Sequence, residues 1–194
     1  MEFVQKKGST KHTFIFKDDF FNFAYKEKSG SGDIDFNYGD LPEKSSVKIE
    51  ENEWLRNVGY LWCGLGVAFS VYDSYNLAAL TINSFWIVTG ALCVLWAFFT
   101  KVTYTVFQTE RGNIYVMKDK KHDAVVDELT ARRKKQLLSW YGDINPNNEL
   151  ESEIDKFKWL VKQNVMTDEE ANIKIAEVKF NHTNHNNASV QLLN

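Results

Sequence analysis

The sequence predicts an α+β membrane protein, and three observations predict it. Strand-type alternation flanks two long apolar stretches, those stretches lie back to back mid-chain, and helical periodicity takes over beyond residue 119. No charge lies between Arg56 and Asp73, and none between Asp73 and Lys101. A bilayer core needs about 20 apolar residues per helix. Residues 54–72 and 80–100 meet that requirement, joined by a short link at 73–79, so a two-helix transmembrane hairpin is expected, the alternative being a buried helical hairpin in a soluble protein.

The elements upstream follow from a period of two. Residues 12–16, 21–25 and 33–38 alternate as strands, with turn chemistry at Lys17-Asp18-Asp19 and at Ser29-Gly30-Ser31-Gly32. A further short strand is expected at 46–50. Beyond the hairpin, 102–107 and 113–118 repeat the alternation across an Arg111-Gly112 turn. The expectation is five or six short antiparallel strands, in a discontinuous domain of residues 1–53 and 101–142.

Within the hairpin, Trp54, Trp96 and Tyr104 fall at one interface and Tyr72 and Tyr75 at the other. Lys44, Lys48 and Arg56 precede it and Lys101, Arg111, Lys118, Lys120 and Lys121 follow. The positive-inside rule then puts both termini on the cytoplasmic side. Gly59, Cys63, Gly64, Gly66, Ala68 and Ser70, with Gly90, Ala91 and Ala97, give a small-residue surface. It serves either packing of the two helices together or pairing with another membrane protein. Asn83, Thr81 and Thr89 are the neutral polar groups; with no Lys, Arg, Glu or His in either span beyond Arg56 at the very start of the first, an anchor is expected rather than a transporter. The lipid bilayer is the first partner this implies.

A helix opens near Asp119, a candidate N-cap, and runs as an imperfect apolar stripe to Gly142, closing the open end of the sheet. Arg132, Arg133, Lys134 and Lys135 form a basic run there, read either as a patch facing anionic lipid or as a solvated helix face. Residues 143–147 read as a linker. Across 148–180 two short helices are expected, turned by Asn164 and reopened by the capping box Thr167-Asp168-Glu169-Glu170. Phe157, Trp159, Leu160 and Val165 make this pair a candidate partner-binding hook. The tail 181–194 is polar and expected to be disordered.

Two stretches carry a family resemblance. Thr109-Glu110-Arg111-Gly112-Asn113 followed by Lys118-Asp119-Lys120-Lys121-His122-Asp123 resembles segments of uncharacterised bacterial membrane proteins with a pleckstrin-homology-like domain. Lys156-Phe157-Lys158-Trp159-Leu160, through Val165-Met166-Thr167-Asp168-Glu169-Glu170, is similar to the short C-terminal helical unit known as SHOCT. The resemblance implies a small antiparallel sheet with a closing helix and a binding or oligomerising role. It also implies a multi-pass protein of the bacterial inner membrane, and brings no catalytic residue with it.

The chain offers little recognisable chemistry. His122 heads the closing helix, and His182 and His185 in the tail lack a third ligand, so no metal site is expected. Cys63 and Cys93 lie in the apolar spans without metal-type spacing. There is no phosphate-binding glycine loop and no hydrolase or metalloprotease motif. No cofactor is expected. The net charge of −3 argues against a nucleic-acid partner. The sequence therefore reads as a membrane-anchored, non-catalytic scaffold or adaptor for a protein partner or for its own oligomer. The alternatives are a regulator responsive to anionic lipid and an enzyme whose site has no familiar motif.

Overall fold

Alternation along the strands turns one row of aromatic side chains inward, and that row decides the architecture. In the computed structural model, which describes residues 1–77, 82 and 84–191, these residues form an α+β fold with two antiparallel sheets and five α-helices. The first sheet is a meander of β1 (Glu2–Lys7), β2 (Thr10–Phe16), β3 (Phe20–Glu27) and β4 (Gly30–Asn37). The second joins β5 (Ser46–Glu50), β6 (Val102–Thr109) and β7 (Gly112–Met117). Seven strands in two sheets thus replace the expected five or six. The additional strand is β1, which pairs Gln5 with His12 and Phe3 with Phe14.

Register builds the core. Phe14 lies opposite Phe23, Phe16 opposite Phe21 and Phe21 opposite Phe36, so aromatic rings stack across three strands. Phe107, Ile114 and Val116 from the second sheet and Val125 and Leu129 from α3 (His122–Tyr141) complete the same apolar cluster. Each such side chain contributes about 1.5–3 kcal/mol through burial. Two polar residues share the interior and find polar partners there. Gln5 Nε2 donates to Met117 O at 2.8 Å and to Asp119 Oδ1 at 2.7 Å, while its Oε1 accepts from Met117 N at 2.9 Å. His12 reaches Tyr115 O through Nδ1 at 2.8 Å and Glu27 Oε1 through Nε2 at 3.0 Å. Both residues tie the first sheet to the second.

The helical hairpin, α1 (Glu53–Leu77) and α2 (Ser84–Thr100), is inserted between β5 and β6, which pair right to its base at Glu50 and Val102. The transmembrane expectation is overturned here: among the described residues no helix is long and apolar enough to cross a membrane. The 17 residues of α2 span about 25 Å at 1.5 Å per residue, short of a hydrocarbon core of about 30 Å. The 25 residues of α1 are long enough, but Glu53, Arg56, Asn57, Asp73 and its three glycines dilute their apolarity. The inference of a multi-pass inner-membrane protein with cytoplasmic termini loses its basis with the spans. The expected start of the second span at 80, and Thr81 and Asn83, lie outside the described residues. The expected link at 73–79 is helical as far as Leu77.

After the sheets, α3 lies across their end. Its N-cap is Lys121 rather than the expected Asp119, whose carboxylate instead accepts the Lys121 N–H at 2.9 Å. Gly142 stands at the C-cap, donating to Leu138 O at 2.8 Å. Beyond it, α4 (Leu150–Lys162) and α5 (Asp168–Gln191) pack around Phe157, Leu160, Val165, Ala171 and Val178, with Leu137 of α3. Asn164 turns the chain at φ 55°, and the Thr167–Glu170 capping box closes reciprocally at 3.2 and 2.8 Å. The expectation of a helix ending near Phe180 is corrected, because α5 continues to Gln191. No glycine or proline interrupts residues 181–191.

A buried carboxylate organises the entry to α4. Glu153 accepts from Lys156 Nζ and Asn148 Nδ2, each at 2.6 Å, and from the Asn145 backbone N–H at 3.4 Å. Burial alone would raise its pKa; the three donors outweigh burial and hold it below the ordinary carboxylate value. A depressed folded pKa gives stability that is present above the unfolded pKa of about 4.3 and lost as pH falls through the folded value. The melting-temperature gap between wild type and Glu153→Gln should therefore be widest near neutral pH and close on acidification. Circular dichroism melts at several pH values check this, and a gap independent of pH would contradict it.

Candidate functional site

The hairpin is the strongest candidate, because apolar residues lie all round its helices while only one face is covered. Glycines make the covered seam. A Cβ added at Gly90 would lie 2.6 Å from Gly59 O and 2.6 Å from Cys63 Sγ, and one at Gly59 would lie 2.7 Å from Val94 Cγ2. At Gly66 the obstacle is Ile87 Cγ1, 2.6 Å away. Trp62 and Trp86 close the seam edge to face at 5.6 Å between ring centroids. Backbones this close gain dispersion along their length.

Of the small residues singled out in the sequence, Gly59, Cys63, Gly66 and Gly90 line this seam, and Ala97 is buried. Gly64, Ala68 and Ala91 do not; they are exposed on the outer surface, and a Cβ at Gly64 would meet nothing within 4 Å. Around them the outer face carries Leu61, Val71, Tyr72, Phe85, Leu92 and Phe98, all more than half exposed. Tyr75 is 87 % exposed. Asp73, half-buried in α1, is the only charged residue among the described residues from 57 to 100.

The basic run does not form one patch. Arg133 is buried: Nε donates to Leu41 O at 2.7 Å, Nη1 to Gln163 O at 3.0 Å and Nη2 to Gln163 Oε1. Burial lowers its pKa from the ordinary value, opposed by Glu43. Arg132 is half-buried, paired with Glu128 at 2.6 Å and donating to Lys17 O at 2.6 Å. Only Lys134 and Lys135 are exposed. A helix turn brings successive residues to different faces, so four consecutive basic residues cannot share one surface.

The hook is likewise divided. Phe157, Leu160 and Val165 are interior to the α4–α5 pair and unavailable to a partner. Trp159 remains partly exposed, its ring edge to face with Tyr141 at 5.5 Å. Helical spacing in the sequence identified the apolar stripe; the stripe is the unit's own core. Among the described residues no group of three His, Cys, Asp or Glu is placed to hold a metal. His122 bridges Thr105 Oγ1 at 2.8 Å and Asp123 Oδ1 at 2.7 Å, joining α3 to β6.

No protein family, curated protein or solved structure matches the chain.

From the sequence, pairing with another membrane protein is one expectation for the small residues, of which Gly64, Ala68 and Ala91 lie on this outer face, but the large apolar residues around them are not singled out. A helix hydrophobic on every side is normally buried on every side, and here the described residues cover only one.

Proposed function

We propose that this protein is a non-catalytic scaffold that assembles with further copies of itself through the outer face of its helical hairpin. The observation that carries the reading is the exposed apolar surface of α1 and α2. Contiguous apolar surface of this extent marks an interaction site, because its exposure to water is unfavourable.

A second copy is the occupant that the residues favour. The face offers almost no charge with which to select a different, charged partner. An isologous contact needs only a self-complementary surface, and the Gly64/Ala68 notch amid bulky neighbours supplies both depression and protrusion. At about 37 Å long, α1 gives each copy room for the roughly 800 Å² that a stable interface buries. Sheets and C-terminal helices, fastened to α3, would then be displayed as a repeated array.

The test is the mass of the full chain by light scattering, beside that of Ala68→Glu. Wild type should run as a dimer or larger assembly. A carboxylate buried in the apolar contact should shift the variant to a smaller species with unchanged far-UV dichroism. An unchanged mass in Ala68→Glu, or a wild-type monomer at every concentration, would overturn the proposal.

A further inference from the structure

The outward backbone groups of a sheet edge need partners, and at three of its four edges this chain supplies a side chain to meet them. At the edge of β1, Lys121 Nζ donates to Val4 O at 2.8 Å. At that of β4, Arg111 Nη1 donates to Asp35 O at 3.4 Å. At that of β7, Gln5 accepts from Met117 N at 2.9 Å and donates to Met117 O at 2.8 Å, and His12 Nδ1 lies 2.8 Å from Tyr115 O.

The fourth edge is β5, and it stands open. Alternate residues of an antiparallel strand bond to the same side. Thr103 O accepts from Lys118 N, just beyond β7. Val102, Tyr104 and Val106 therefore bond towards β5, where Glu50, Lys48 and Ser46 lie opposite them. The N–H and C=O groups of Val47 and Ile49 point away from the sheet, and among the described residues none of them has a hydrogen-bond partner. All five residues of β5 are exposed, Val47 by 60 % and Ile49 by 54 %. An exposed edge strand with apolar side chains is a template for another strand.

We propose that β5 pairs antiparallel with β5 of a second copy, joining two three-stranded sheets into one across a two-fold axis. Charge favours the copy as occupant. Pairing centred on Ile49 sets Lys48 of each chain opposite Glu50 of the other, and like charges are not opposed. The Lys48–Glu50 pair already present within each chain, at 2.7 Å, then becomes part of an alternating cluster. The two-fold axis repeats every such contact, as an isologous interface requires. This contact stands apart from the hairpin's, because it rests on the backbone of a different element. Together the two build an open row of copies.

Residue-resolved hydrogen exchange of the full-length protein tests the pairing. The Val47 and Ile49 amides should exchange at least a hundredfold slower in the assembled protein than after dilution to the single chain. Ile49→Pro removes an N–H that the single chain leaves unpartnered, a position where edge strands tolerate proline. It should lower the mass seen by light scattering with unchanged far-UV dichroism. Ala68→Glu, aimed at the hairpin, should leave a dimer, and the double variant a monomer. Loss of mass in Ala68→Glu but not in Ile49→Pro would overturn the strand pairing and leave the hairpin contact standing. The reverse would support the strand pairing and overturn the hairpin contact. Fast exchange at both amides in the assembly would overturn the pairing. So would protection that survives dilution, since a segment of the same chain would then cover the edge.

Discussion

Replacing Phe23 by alanine should destabilise the protein by about 3–5 kcal/mol, the range for a fully buried aromatic residue cut back to a methyl group. Phe23 is fully buried and lies at the centre of the first sheet. Its ring stands 5.0 Å from that of Phe14, 5.4 Å from that of His12 and 5.8 Å from that of Tyr25. The neighbours are held by register on both sides, Phe14 on β2 and Ile34 on β4. They cannot collapse into the void without breaking strand pairing, so the cavity term remains. The damage should also reach His12, whose bonds to Tyr115 and Glu27 depend on the packing of its ring. Urea unfolding followed by tryptophan fluorescence measures the loss; a change below about 1 kcal/mol, typical of surface sites, would show that the aromatic stack is not the core.

The second large effect is expected from Arg133→Ala, at about 2–4 kcal/mol. The guanidinium spans three segments, holding Leu41 after β4, its own helix α3, and Gln163 at the end of α4. Removing it leaves the Leu41 and Gln163 carbonyl oxygens without this donor, and each unsatisfied buried group costs about 1–3 kcal/mol. Beside this joint, Asn164 Nδ2 donates to Glu43 Oε1 at 2.6 Å, a contact that the same loosening would break. The α4–α5 pair should then exchange amide hydrogens faster around residues 160–171 while the sheets stay protected. Lys134→Ala is the control, since its exposed side chain belongs to the same run and should change stability by less than about 0.5 kcal/mol. Equal effects at the two positions would reject Arg133 as the joint between the sheets and the C-terminal helices.

How much was legible in the sequence depended on whether local pattern and tertiary environment agreed. The strand runs at 12–16 and 113–118 were visible because Phe14, Phe16, Ile114 and Val116 alternate with outward-facing residues. β1 was not, because its fully buried position is Gln5, whose polar identity breaks the apolar alternation. Only the distant Met117 backbone and Asp119 carboxylate explain a glutamine there. The hairpin was legible as two apolar helices and misread as a membrane span, since lack of charge reports apolarity rather than helix length. In the C-terminal pair, an amphipathic stripe looked the same whether it faced a partner or the neighbouring helix. Phe157 and Leu160 face the neighbour.

The central claim is that the outer face of the hairpin meets another copy of the chain. Sedimentation equilibrium of the full-length protein over a hundredfold dilution, with and without phosphatidylcholine/phosphatidylglycerol vesicles, tests it most directly. A dimer or larger assembly is expected, dissociating only on dilution and staying in the aqueous phase when vesicles are added. A species that remains monomeric throughout, or one that leaves solution entirely for the vesicles, would contradict it.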